Sequence, residues 1–219
     1  AGVALVKSIN KAGIPVMSAN TNVAESGKEY LECYVGPSNI LEGKQTAEQM
    51  VADIGSDAKI LYIDGPTGYS TSAERRQGMD EGIAGTNIEV VESQTGEGNR
   101  EKSQQVMENY LVKYPEGSID AVFCMDDNTA IGAINAMEAA GRTDIKVYAA
   151  ACGDYNTLTY IKEGKLRATA MQSPIIDAKT TLDYAVRIAK GEKMEEFENF
   201  METPVATADN IDSLNIDPW

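Results

Sequence analysis

Apolar residues in this chain fall into short runs of strand length. Each run is followed by a polar or glycine-rich turn, then by a stretch in which apolar positions recur every three or four residues. Residues 119–141, IDAVFCMDDNTAIGAINAMEAAG, show the pattern most clearly. Residues 119–125 form an apolar run centred on Val122 and Phe123, and Asp126 and Asp127 end it. Asp127 or Asn128 can cap the helix that follows; Ala130, Ile131, Ile134 and Met137 sit at helical spacing, and Gly141 stops it. The same reading predicts strands at 15–19, 59–64, 88–92, 146–151 and 166–171, with extended segments at 30–36 and 200–206. Helices are predicted over the opening residues, at 40–54, 71–84, 100–113 and 156–162, and from Pro174 to Gly191. Strands alternating with helices imply an α/β fold with parallel sheets covered on both faces.

In such sheets ligands meet the carboxyl ends of the strands. The segments that fall there are GPTGYSTSAERRQG, MDDN, AACGDYN and MQSP. GPTG lacks the ending and spacing of a phosphate loop, which argues against nucleotide binding. Of Arg75 and Arg76, one reads as a solvated charge, while the other can aim a fork of donors at ligand hydroxyls. Asp126 and Asp127 lie where a small molecule would meet them, and an ordinary helix cap explains them equally well. Asp154 reads as a cap. The Gln172 amide, which both donates and accepts, fits a loop brace or a ligand contact.

Composition narrows the chemistry. With 219 residues the chain is long for one domain and short for two. The hydrophobic share of 42% supports a core, and no segment reads as a membrane-spanning helix. A formal charge of −15 repels phosphate backbones and argues against nucleic acid as a partner. There are no histidines, which removes the usual general base and metal ligand, and no cofactor or metal site is predicted. Cys33, Cys124 and Cys152 show no CxxC spacing. Polar groups at strand ends without a catalytic base suit binding better than catalysis, so a non-enzymatic protein is expected. The chain opens inside an amphipathic helix with no cap ahead of Ala1. We therefore expect that residues precede it and draw nothing from the lack of a signal peptide.

Taken together, SINKAGIPV, SNILEGKQTAEQM, GPTGYSTSAERRQGM, SQTGEGNREKSQQVMENYL, IDAVFCMDDNTAIGAINAMEAAG, IKEGKLRATAMQSP and TADN resemble, in order and spacing, the periplasmic sugar-binding proteins of the ribose/galactose type. The resemblance implies two lobes of parallel sheet flanked by helices, joined by hinge crossings, with the first lobe partial. Residues 1–35 and 173–201 would be that partial lobe, 36–172 the second lobe, and 202–219 a hinge crossing and tail. It implies an extracytoplasmic protein, periplasmic or lipid-anchored, that captures a monosaccharide or polyol and delivers it to the membrane permease of an ATP-binding cassette importer. The alternative is the sensing domain of a receptor or of a lactose-repressor-like regulator. Matched to the family, Arg75 takes the place of an arginine that bonds sugar hydroxyls, Asp126 that of an asparagine, and Gln172 that of a glutamine at a hinge. Asn20 and Thr21 occupy the positions of an Asp-Arg pair. Cys152 falls where an aspartate is usual, and a small shift brings Asp154 there. The family's aromatic platforms are missing at Gly98 and Ala151, with Tyr69 and Tyr155 as nearest replacements. A partial first lobe would leave an open sheet edge at 16–19 and predicts self-association.

Overall fold

The fold comes from a computed structural model, which describes residues 2–214. In chain order the elements are α1 (Gly2–Lys11), β1 (Ser18–Ala19), α2 (Glu25–Lys28), β2 (Tyr34–Gly36), α3 (Asn39–Ile54), β3 (Lys59–Asp64), α4 (Ser70–Gly82), β4 (Glu89–Thr95) and α5 (Arg100–Lys113). They continue with β5 (Ala121–Cys124), α6 (Asp127–Ala139), β6 (Lys146–Cys152), α7 (Tyr155–Lys162), β7 (Ala168–Met171), α8 (Pro174–Ala189), β8 (Glu198–Phe200) and β9 (Val205–Thr207). The chain divides into two compact units. One is Ala1–Ser38 with Ser173–Glu202; the other is Asn39–Gln172 with Thr203–Trp219.

The smaller unit contains a parallel sheet in the order β1-β2-β8. Its core gathers Cys33, Val35 and Ile188, with Met17, Tyr184 and Met194 packed against them. The larger unit contains a six-stranded sheet in the order β4-β3-β5-β6-β7-β9. Alternation along its strands builds two cores. Ile60 and Tyr62 of β3, with Ala121 and Phe123 of β5, face Ala47 and Met50 of α3 and Met79 of α4. Leu61 and Ile63, with Val122 and Cys124, face Met107 and Tyr110 of α5 and Ile134 of α6. Both faces are buried, so these strands read as unbroken apolar runs rather than alternating ones. Each fully buried Leu, Ile or Phe side chain contributes about 1.5–3 kcal/mol. Among the described residues no helix is long and apolar enough to cross a membrane.

The structure departs from the sequence reading in several places. The predicted strand at 15–19 shrinks to β1, since Pro15 has no N–H for a ladder. Of the extended segment at 30–36 only β2 pairs. β4 runs on to Thr95, past the predicted end at 92, because its outer half is polar and half exposed and carries no apolar signal. The segment 200–206, predicted as one extended piece, is divided: β8 closes in the smaller unit's sheet, and β9 pairs antiparallel with β7 in the larger one. Pro204 lies between them, and its carbonyl accepts from the Met171 N–H at 2.8 Å. An antiparallel edge strand on a parallel sheet is a common arrangement.

Candidate functional site

In the larger unit β3, β4, β5, β6 and β7 are parallel, so their carboxyl ends open on one edge. Arg75 reaches that edge from α4. Helices α3 and α4 cross at very close range, because glycines replace side chains at the contact. A Cβ on Gly43 would sit 2.2 Å from the Arg75 carbonyl oxygen, and one on Gly78 would sit 2.0 Å from that of Ile40. Glu42, next to Gly43 in sequence, is thereby brought against the Arg75 side chain.

The guanidinium is almost wholly committed to the protein. Glu42 Oε2 accepts from Nε at 3.1 Å and lies 3.0 Å from Nη2 in an ion pair. Nη1 donates to the Met125 carbonyl at 3.3 Å, and Nη2 to Gln172 Oε1 at 3.2 Å. The side chains of Arg75 and Glu42 are 5% and 0% exposed, which places the ion pair in low dielectric. Burial pushes the Glu42 carboxyl up to about 7, against the downward pull of Arg75. Asp126 and Cys152 lie within electrostatic reach of Arg75. Arg75, Gln172, Met125–Asp126 and Cys152 thus gather at one place, although Arg75 and Gln172 are 97 positions apart in sequence.

The two aspartates after β5 divide their work differently from the sequence expectation. Asp126 caps α6, not Asp127 or Asn128. Its Oδ1 accepts from Thr129 N at 2.8 Å, and the Thr129 hydroxyl accepts in return from the Asp126 N–H. Its second oxygen lies toward Gly98, where a Cβ would come within 3.7 Å of Oδ2. Asp127 is buried and structural. Its carboxylate accepts from the backbone N–H of Cys152 at 2.9 Å and of Asp154 at 3.2 Å, from that of Gly153, and from the Thr169 hydroxyl at 3.1 Å. Gly153 has φ +93°, which lets the turn wrap its N–H groups around the carboxylate. Asp127 fastens the start of α6 to the β6–α7 turn. Its isolation from water still pushes its pKa upward, against those hydrogen bonds.

The remaining sequence candidates are spread more widely. Asp154 spends its carboxylate on capping α7, accepting from Thr157 N at 2.7 Å. Cys152 is partly covered, and burial pushes its thiol up to about 12, so it is a poor nucleophile. Tyr69 and Tyr155, just ahead of α4 and at the start of α7, are 62% and 63% exposed. Asn20 and Thr21 belong to the smaller unit and are exposed. Asn20 adopts φ +61° and donates to Asp177 Oδ2 at 2.7 Å. Arg76 is the surface member of the arginine pair: it bonds Asp80 at 3.0 Å and lies over the Tyr62 ring at 4.8 Å. Glu42 and Asp177 are residues that sequence reasoning missed. For Glu42 a signal existed, because Asn39, Glu42, Gly43, Thr46, Ala47 and Met50 trace one helical stripe, and a carboxylate within a stripe of small residues is out of place on a solvated face. Among the described residues no group of three or more His, Cys, Asp or Glu is placed to hold a metal ion.

Parallel βα units with an arginine, an amide and a carboxylate gathered at the strand ends define an α/β protein of the kind that meets ligands at that edge. The chain belongs to the periplasmic binding protein domain family, which it matches over residues 1–193. It is 30% identical over 190 residues to the ribose import binding protein of Salmonella typhimurium, covering 87% of this chain and 62% of that one. It is 34% identical over 191 residues to the ribose import binding protein of Bacillus subtilis, covering 87% of this chain and 60% of the relative. The chain therefore spans less than two thirds of the length of either relative. A solved ABC transporter solute-binding protein from Bacillus halodurans, with bound myo-inositol, is similar at TM-score 0.87 and 30% identity. That match covers 97% of this chain and 72% of the other.

Proposed function

We propose that this is an extracytoplasmic solute-binding protein. It captures a monosaccharide or related polyol at the carboxyl edge of the larger unit's sheet and delivers it, unaltered, to the membrane permease of an ATP-binding cassette importer. The observation that carries this reading is the coupling of Arg75 to Gln172 at the strand ends, beside Asp126 and Cys152. Ligand hydroxyls both donate and accept, so a site for them needs donors and acceptors side by side, and the Gln172 amide offers both. Similarity to ribose import binding proteins and to a protein with bound myo-inositol supports the same ligand class. Tyr69, Asp154 and Tyr155 are proposed as further contacts, the two tyrosines offering an apolar ring face with a polar tip. The chemistry calls for no cofactor.

Thermal unfolding in the presence of pentoses, hexoses and inositols tests the reading. A ligand at about 100 times its Kd adds about 2.7 kcal/mol to native-state stability. At least one member should raise Tm, and Gln172→Ala should weaken its binding about tenfold, as for loss of one or two hydrogen bonds. A panel with no member that raises Tm would exclude this function.

A further inference from the structure

Glu42 stands out among the buried groups because folding alone gives it little reason to be there. Its side chain is fully buried, yet only Oε2 is matched; Oε1 is buried without a hydrogen-bond partner. A carboxylate retained for packing would be matched on both oxygens or replaced by an amide. What Oε2 does is specific. It closes the Nε–Nη2 side of the Arg75 fork, the side from which a guanidinium grips a carboxylate or phosphate in bidentate fashion. Met125 O accepts from the other terminal nitrogen, Nη1, while Gln172 Oε1 accepts from Nη2. The field around the pair is also acidic: Asp126 acts on Arg75, and Asp127 acts on Glu42.

We propose that Glu42 is a positioning residue that sets the ligand's charge class. By holding the Arg75 fork in a buried ion pair, it cancels the positive charge that would otherwise act on the strand-end site. The site then accepts an uncharged polyhydroxy ligand and rejects the matching sugar acid or sugar phosphate. This deepens the proposed function and rests on it for its ligand class. An Arg75 freed from Glu42 would present both a net charge and an open fork, which favour an anion over a neutral polyol.

The test uses matched pairs, D-galactose with D-galacturonate and D-glucose with D-glucuronate, in calorimetry at pH 8. Wild type is compared with Glu42→Gln and Glu42→Asp, and thermal unfolding verifies that each variant is folded. Glu42→Gln keeps the shape and loses the charge. It should shrink the preference for the neutral member about tenfold or more, while Glu42→Asp, which keeps the charge, restores much of it. A neutral-to-acid ratio unchanged by Glu42→Gln, or equal losses for both members, would overturn the proposal. A second readout needs no ligand: exchange of the Arg75 Nε–H, assigned through its loss in Arg75→Lys, followed by NMR. It should quicken about tenfold or more in Glu42→Gln once the charge-assisted bond is lost. An unchanged rate overturns the clamp even where sugars bind. Failure of every sugar and sugar acid to bind wild type overturns instead the proposed function.

Discussion

At the scale of single residues, the Arg75–Glu42 pair makes the sharpest predictions. Arg75→Ala leaves a buried carboxylate without its partner and should cost about 3–5 kcal/mol in urea denaturation. Arg76→Ala removes a partly exposed pair with Asp80 and a contact over Tyr62, and should cost about 1 kcal/mol or less. Equal losses would mean that the buried position does not matter. NMR titration of the Glu42 carboxyl should show a midpoint near 7, well above the usual carboxylate range. The sequence made Arg75, Asp126 and Gln172 visible because polar side chains right after apolar runs fall at strand ends. Glu42 was harder to see, because a glutamate on a helix ordinarily faces water, and only its place in the buried stripe of α3 sets this one apart. The roles of Asp126 and Asp127 were hidden for another reason. Which of two adjacent aspartates caps a helix depends on the backbone angle where the strand ends, and Asp126 takes the extended conformation that a cap requires.

At the scale of elements, the closeness of α3 to α4 determines whether Glu42 and Arg75 meet at all. Gly78→Ala places a methyl against the Ile40 carbonyl at a distance no backbone pair tolerates, so the helices must shift apart. We expect a loss of about 1–3 kcal/mol or more, and weaker ligand binding even though Gly78 touches no ligand. Chemical denaturation and calorimetry on the one variant check both, and a stable variant with unchanged affinity would refute the link. Helices α3, α5, α6 and α8 and strands β3, β5 and β7 were legible, since the strands are short apolar runs and Gly, Pro or capping residues mark where elements end. The antiparallel pairing of β9 was not, because three residues of extended chain carry no sign of direction or of the sheet they join.

At the scale of the whole molecule, acid stability should rest on ion pairs far from the strand-end site. Arg167, Tyr148 and Lys146 hold Asp53 well below the usual carboxylate range, and Arg142 holds Asp144 at about 2. Both aspartates contribute stability above their ordinary unfolded pKa, near 3.9, and lose it as pH falls toward their folded values. Glu42 has the opposite sign: its contribution is fully present below an unfolded pKa near 4.3 and fades as pH rises through about 7. Asp53→Asn should therefore destabilise at neutral pH by about 2 kcal/mol, with the gap from wild type closing in strong acid. Denaturation curves across pH decide it, and a gap that keeps its neutral-pH size in strong acid would refute it. Among the described residues β1 pairs with β2 alone in the smaller unit's sheet, and we propose that an edge of that kind associates with another copy. With a net charge of −15 the copies repel, so sedimentation should show association rising with salt. The Asp127 carboxylate, enclosed by the N–H groups of Cys152, Gly153 and Asp154, has a thermodynamic consequence. A turn already ordered by the protein's own anion has little conformational freedom left to surrender when a guest arrives, so the entropic penalty of capture at this edge should be small.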